Sequence, residues 1–252
     1  MNPKTDDQKP YSQVIDITKE SNFLFKAFVD ENDYTIQNGQ KIWNLIRIEP
    51  DPTRQDLYDK LGSPENAVVV LPIFTATAYK EPGFYTYYRG ECDKSCLTRP
   101  LVKEYRGTSS VEAIQVFQIL NYKMITDLDI EHNPDILNHF DKVILLHSEY
   151  VTKREFDAIT HHQKVVYLYP NALYAEVKVN PDNTITLIRG HNYPEANIRN
   201  GFDWKYDNSA LEYDADCSHM KFDSIPNGIM LNCFPENEIL ANPELLQIIK
   251  DF

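Results

Sequence analysis

The chain has 252 residues, 42% of them hydrophobic and 12% aromatic, which is enough apolar material for one large core and excludes disorder for its bulk. Lys and Arg number 25 against 38 Asp and Glu, a net charge of −13, so a nucleic-acid backbone would be repelled and nucleic acid is excluded as a partner. The longest apolar runs, such as AVVVLPIF, are strand-sized and far below the roughly 20 residues that span a bilayer, so no transmembrane segment is expected.

Residues 1–10 are polar, rich in Asp, Lys and Pro, and lack the apolar stretch of an export signal; they read as a flexible arm ahead of one domain over 11–252. Residues 11–65 form a β-rich flank. Val14, Ile15 and Ile17, then Phe23, Phe25 and Phe28, then Ile42, Trp43, Leu45, Ile46 and Ile48 alternate as extended segments do, and Asn38-Gly39 fits a tight turn. EPDPTRQDLYDKLGSPEN reads as a connection with one short helix from Thr53 to Leu61.

Residues 66–179 alternate strands with capped helices, which predicts right-handed crossovers and a Rossmann-like parallel sheet with helices on both faces. AVVVLPIF is the unbroken apolar run of a strand buried on both faces. A long aromatic loop follows, and Ser109 with Glu112 makes a capping box that opens SSVEAIQVFQILNY. KMITDLDI is a second strand, Asn133 and Pro134 start the helix NPDILNHF, and KVILLH is a third strand. Thr152 with Glu155 opens the helix TKREFDAITHH, and KVVYLYP is a fourth strand. Over residues 180–252 the alternation stops. TITLIRG and IPNGIMLNCF read as strands, and NPELLQIIKDF as a closing helix.

Ligands of open α/β sheets bind beyond the carboxyl ends of the strands, where helix N-termini and loops converge. That rule selects Thr75, Thr77 and Tyr79, then Asp127 and Asp129, then His147, Ser148, Glu149 and Tyr150, and finally Asn171 and Tyr174. Of these, Thr75, Thr77, Asp127, Asn171 and Tyr174 are the expected ligand-binding positions, and His147, Glu149, Asn171 and Thr75 are expected on one rim. HSEY ends directly before a helix cap, which places a carboxylate and a neutral histidine where a metal ligand or an acid/base pair is useful. His147, Glu149 and Tyr150 are therefore the candidate catalytic residues, with Glu149 and Tyr150 as candidate metal ligands. The blander account makes Glu149 a complement to the helix dipole.

Other motifs have plainer readings. His191 and Glu195 lie in GHNYPEAN, where Pro194 breaks any helix that would align them, so a polar loop is expected. EYDADCSH is acidic but lacks the spacing of a calcium-binding loop, and GFYTYY suggests a carbohydrate or partner surface or a small tyrosine core. Cys92 with Cys96, and Cys217 with Cys233, lie in turn-rich segments, which favours two local disulfides over a zinc site and implies an extracytoplasmic, secreted protein.

VILLHSEYVTKREFDAI followed by VVYLYPNALYAEV resembles the C-terminal domain of the N,N-dimethylformamidase large-subunit family. The matching positions are His147, Glu149, Tyr150, Asn171 and Tyr174 within residues 67–179. The resemblance implies a flavodoxin-like, class I glutamine amidotransferase-like fold and a mononuclear iron held by tyrosines and a glutamate. Tyr150 would match one tyrosine, Tyr79, Tyr85 and Tyr105 compete for another, and Glu195 and Glu212 compete for a further acidic role. The turn YPNALY carries no cysteine or other nucleophile, which removes acyl transfer through a covalent intermediate. Two readings follow. One is a non-catalytic, exported binding or surface module. The other is a hydrolase of a small amide or related carbonyl compound, dependent on a divalent metal, iron or zinc.

Overall fold

The computed structural model describes residues 13–37, 39–64, 66–102 and 110–252. The expected flexible arm at residues 1–10, Asn38 of the expected turn, Tyr105 and Ser109 lie outside them. Two small antiparallel assemblies come first. β1 (Val14–Asp16) pairs with β2 (Lys26–Asp30), β3 (Tyr34–Gln37) and β4 (Gln40–Trp43) form a hairpin, and β5 (Arg47–Glu49) completes a sheet in the order β1-β2-β5. The β-rich flank thus forms its own sheets and adds no strand to the central one.

α1 (Gln55–Leu61) leads into the core. β6 (Ala67–Leu71) is buried at all five positions, and Pro72 ends it. There follow α2 (Ile73–Ala78), α3 (Phe84–Tyr88), β7 (Thr98–Pro100), α4 (Val111–Ile119), β8 (Lys123–Thr126), α5 (Asp127–His132), β9 (Lys142–Leu145), β10 (Tyr150–Thr152), α6 (Lys153–His161) and β11 (Val165–Tyr167). β12 (Ala175–Val179), β13 (Thr184–Arg189), β14 (Phe222–Ile225), β15 (Gly228–Leu231), α7 (Glu238–Ala241) and α8 (Pro243–Asp251) complete the chain.

The central sheet has six strands in the order β14-β15-β11-β9-β6-β8. β15, β11, β9, β6 and β8 run parallel, and β14 is an antiparallel edge. The period of two decides which face each side chain serves. Val69, Ile144 and Val166 pack on one face with Phe117 of α4 and Leu245 of α8, whereas Val68, Val70, Val143, Leu145 and Val165 pack on the other with Ile130 of α5 and Ile159 of α6. The protein is a mixed α/β fold with a largely parallel sheet covered by helices on both faces.

Several elements differ from expectation in informative ways. β15 comes from the stretch where alternation stops, yet it joins the sheet beside β11. A Cβ at Gly228 would lie 1.9 Å from the Val165 carbonyl oxygen, so only glycine permits that approach. DLDI is not strand but the first turn of α5, because Thr126 accepts from the Asp129 N–H and Asp129 returns a bond to the Thr126 N–H. NPDILNHF is a 3-10 helix over Pro134–His139. Ile73 and Phe74, expected at the end of the first strand, open α2 instead, which runs into the expected aromatic loop, and that loop also contains α3. The N-cap of α4 is Ser110, which makes no side-chain cap bond.

A second sheet, ordered β10-β12-β13-β7, leans on the carboxyl end of the first. Both disulfides are present. Cys92–Cys96 closes the turn after α3 and Cys217–Cys233 ties the loop before β14 to the end of β15, with Cα separations of 6.2 and 5.3 Å. No helix among the described residues is long and apolar enough to cross a membrane.

Candidate functional site

Glu149 is the centre of the site. It follows β9 by four residues, and its carbonyl accepts the N–H groups of Tyr174 and Ala175, which holds this turn against the start of β12. The helix that Thr152 caps begins four residues later, with β10 between. The dipole expected to hold Glu149 is therefore displaced, and side chains do that work instead.

Three donors converge on this fully buried carboxylate. The Tyr79 hydroxyl donates to Oε2 at 2.6 Å, the Tyr85 hydroxyl lies 3.1 Å from Oε1 and 3.3 Å from Oε2, and His191 Nε2 bonds Oε1 closely. Tyr79 follows α2 directly and Tyr85 lies within α3, so the two short helices exist where they present phenols to Glu149. Burial pushes the Glu149 carboxyl up, but the hydrogen bond and charge of His191 and the Tyr79 bond outweigh it and leave the group below its ordinary range. Burial and then the Glu149 charge push Tyr79 and Tyr85 upward, so both phenols are neutral donors.

His191 reaches Glu149 because its backbone is unusual. Gly190, His191 and Asn192 all have positive φ, at 126°, 51° and 61°. Gly190 also passes so close to β12 that an added Cβ would lie 2.8 Å from Ala175 Cβ. The imidazole is then clasped by aromatic rings, stacked on Tyr150 at 5.5 Å, tilted over Tyr88 at 5.0 Å and edge-on to Tyr174 at 4.7 Å. Tyr88 and Tyr150 share a hydroxyl contact at 3.2 Å.

Of the residues selected from sequence, Tyr79, Tyr85, Glu149, Tyr150 and Tyr174 belong to this cluster. The His147 ring stands 6.0 Å from that of Tyr79 and is buried, which pushes it toward the neutral form. Thr75 supports the cluster from behind, accepting the Tyr150 N–H at 3.1 Å. Asn171, expected on the same rim, is buried in a left-handed conformation at φ 62°, and among the described residues its side-chain amide has no hydrogen-bond partner. Thr77 does not join the cluster: it donates to the Ile73 carbonyl and accepts from Val102. Nor does Asp127, which accepts the Phe74 N–H at 2.6 Å and lies in a second acidic group with Glu155. Glu195 makes no contact with Glu149, whereas Glu212 lines a cleft of about 300 Å³ with Tyr79, Tyr85 and Arg89. Burial and the charge of Glu149 raise the Glu212 carboxyl.

His191, read as a loop residue, was the residue sequence reasoning missed. Its available signal was Gly190 with Asn192, residues that tolerate positive φ, flanking a histidine. GFYTYY, read as a surface or a small core, supplies Tyr85 and Tyr88 of the site.

Among the described residues no group of three or more His, Cys, Asp or Glu side chains could hold a metal ion. Glu149 can complete a coordination shell only with its phenols and His191. Ligand atoms about 2.1 Å from a metal and at right angles lie about 3 Å apart, and the Tyr79 and Tyr85 oxygens stand 2.6–3.3 Å from the nearest carboxylate oxygens. Two phenols, a carboxylate and an imidazole form a hard oxygen set with one nitrogen, which fits iron or zinc. No protein-family model matches this chain, and no curated protein matches it.

Proposed function

We propose that the protein is a metal-dependent hydrolase of a small amide or related carbonyl compound, built on a flavodoxin-like, amidotransferase-like scaffold. The observation that carries this reading is the convergence of Tyr79, Tyr85 and His191 on the buried Glu149 carboxylate. An array of this kind keeps a charge in a water-poor place at considerable cost, which structural roles alone rarely require.

Glu149, Tyr79 and Tyr85 would hold the metal, which would supply Lewis acidity and an activated water. His191, whose Nε2–H is held by Glu149 and whose side chain is one-fifth exposed, is placed to accept a proton at Nδ1 and pass it outward. Glu212 in the adjoining cleft is placed to give a proton to a leaving amine. The partnerless Asn171 amide, on the turn where amidotransferases carry their nucleophile, is suited to bind a carbonyl oxygen or amide. The cleft of about 300 Å³ suits a small molecule. The two disulfides support an extracytoplasmic home.

Purified protein stripped with chelator and reloaded with iron or zinc tests this. One equivalent of metal, lost in Glu149→Gln and Tyr79→Phe, is expected, together with hydrolysis of small formamides. For iron, a visible phenolate charge-transfer band should vanish with the tyrosines. Protein that takes up no metal would return the molecule to the other reading, a binding module that uses the same cleft.

A further inference from the structure

A groove of about 330 Å³ separates the β3–β4 hairpin from α4 and α7. Its volume is about twice that of the ~150 Å³ apolar cavity that accepts benzene. Phe23, Ile42, Trp43 and Leu240 make apolar walls, and the carboxylates of Glu112 and Glu236 line the same space. Glu112 is 8% exposed and Oε1 accepts the Ile46 N–H at 3.3 Å. Burial raises its carboxyl and the Glu236 charge adds to the rise, so the two acids feel one another.

Among the described residues no cation acts on either carboxylate. The one lysine of the groove, Lys41, is engaged elsewhere. Its ammonium lies 4.0 Å over the Trp43 ring and 3.9 Å over the Tyr34 ring and donates to the Glu31 carbonyl at 3.1 Å. Beneath the acids, Tyr169 is fully buried with no hydrogen-bond partner for its hydroxyl, close enough to feel both charges. Among the described residues, two acids without counter-ions and aromatic and aliphatic walls thus line one concavity, and the partnerless Tyr169 hydroxyl feels both acids.

We propose that this groove binds an organic ammonium with an aryl or alkyl tail, the ammonium between Glu112 and Glu236 and the tail against Trp43, Ile42 and Phe23. The site is separate from the Glu149 cluster and does not depend on what that cluster does. Charge complementarity selects a cation over an anion, and the walls select an apolar amine over a hydrated inorganic ion.

Calorimetric titration of the full chain with 2-phenylethylammonium, 2-phenylethanol and phenylacetate tests the proposal. The ammonium should bind at least about tenfold more tightly than the alcohol, the difference one charge-assisted hydrogen bond makes, and phenylacetate should bind weakest. Glu236→Gln should weaken the ammonium about tenfold and leave the alcohol unchanged. Equal binding of ammonium and alcohol, no ammonium binding at millimolar concentration, or an unchanged affinity in Glu236→Gln would overturn it. Should the variant not fold, the wild-type comparison of the three probes decides by itself.

Discussion

Glu149 and the Asp127–Glu155 pair are equally buried and lie on the same end of the sheet, yet they ionise in opposite senses. Glu149 receives two phenols and an imidazole and sits below the ordinary carboxylate range. Among the described residues no side chain donates to Glu155, on which only the Thr152 backbone N–H acts, and no donor reaches Asp127 Oδ1. Burial first, then mutual repulsion and the nearby Glu131 and Asp129, push both carboxyls well up. Burial alone therefore does not decide charge in this protein; the supply of donors does. The fold spends its donors at Glu149, which is the physical reason to look there for chemistry, and leaves the pair behind α2 to share protons.

Removing the charge at the donor-rich site breaks the comparison most severely. Glu149→Gln leaves three donors facing a neutral amide and is expected to cost about 3 kcal/mol of unfolding free energy in urea titrations. Because the folded-state value of Glu149 is depressed, its contribution is present above the ordinary carboxylate value and is lost as pH falls through the depressed one. The variant should therefore lose part of the wild-type acid-unfolding transition.

Gly190→Ala attacks the same site through the backbone. Its φ of 126° and the 2.8 Å approach to Ala175 Cβ leave no room for a side chain, and withdrawal of His191 should follow. A loss of about 2 kcal/mol is expected, with the acid-unfolding midpoint shifted to higher pH because Glu149 has lost a donor.

The phenols sharpen the comparison by their unequal geometry. Tyr79→Phe removes a 2.6 Å bond and should cost about 2 kcal/mol, whereas Tyr85→Phe removes a bond of 3.1 Å that is shared between both oxygens and should cost about 1 kcal/mol. Equal losses would mean that the carboxylate does not distinguish its donors.

A small gain, not a loss, is expected at the other pair. A folded-state value raised above the unfolded one gives stability that is fully present below the ordinary carboxylate range and is lost as pH rises through the raised value. Glu155→Gln should flatten that decline and gain about 1 kcal/mol at its upper end. The slope is best read below pH 8, since burial pushes Lys142 down to about 8 and its titration adds the opposite trend above that. A decline unchanged by Glu155→Gln would show that the pair does not titrate in this range.

Much of the scaffold was legible because it rests on local physics. Continuous apolar runs marked β6, β9 and β11, and Thr152 placed the start of α6, because a side chain and a nearby backbone N–H suffice for a cap. The local spacing of the cysteines likewise foretold both bridges. Glu149 and Tyr150 were legible as a polar break after an apolar strand. The helix of TATA and the 3-10 turn of NPDILNHF were not, since short helices are decided by what they pack on rather than by propensity.

The amino-acid order by itself determined the parallel core, the cap at Thr152, the two bridges and the acidic strand end, all of which depend on neighbours within a few residues or on the period of two. Only the tertiary structure decided that β15 should join β11, that His191 should turn back 42 residues along the chain to meet Glu149, and that Tyr79 and Tyr85 should meet the same carboxylate from residues 70 and 64 positions earlier. Those contacts close long loops, whose entropic cost rises only slowly with length, so spacing along the chain leaves almost no trace of them.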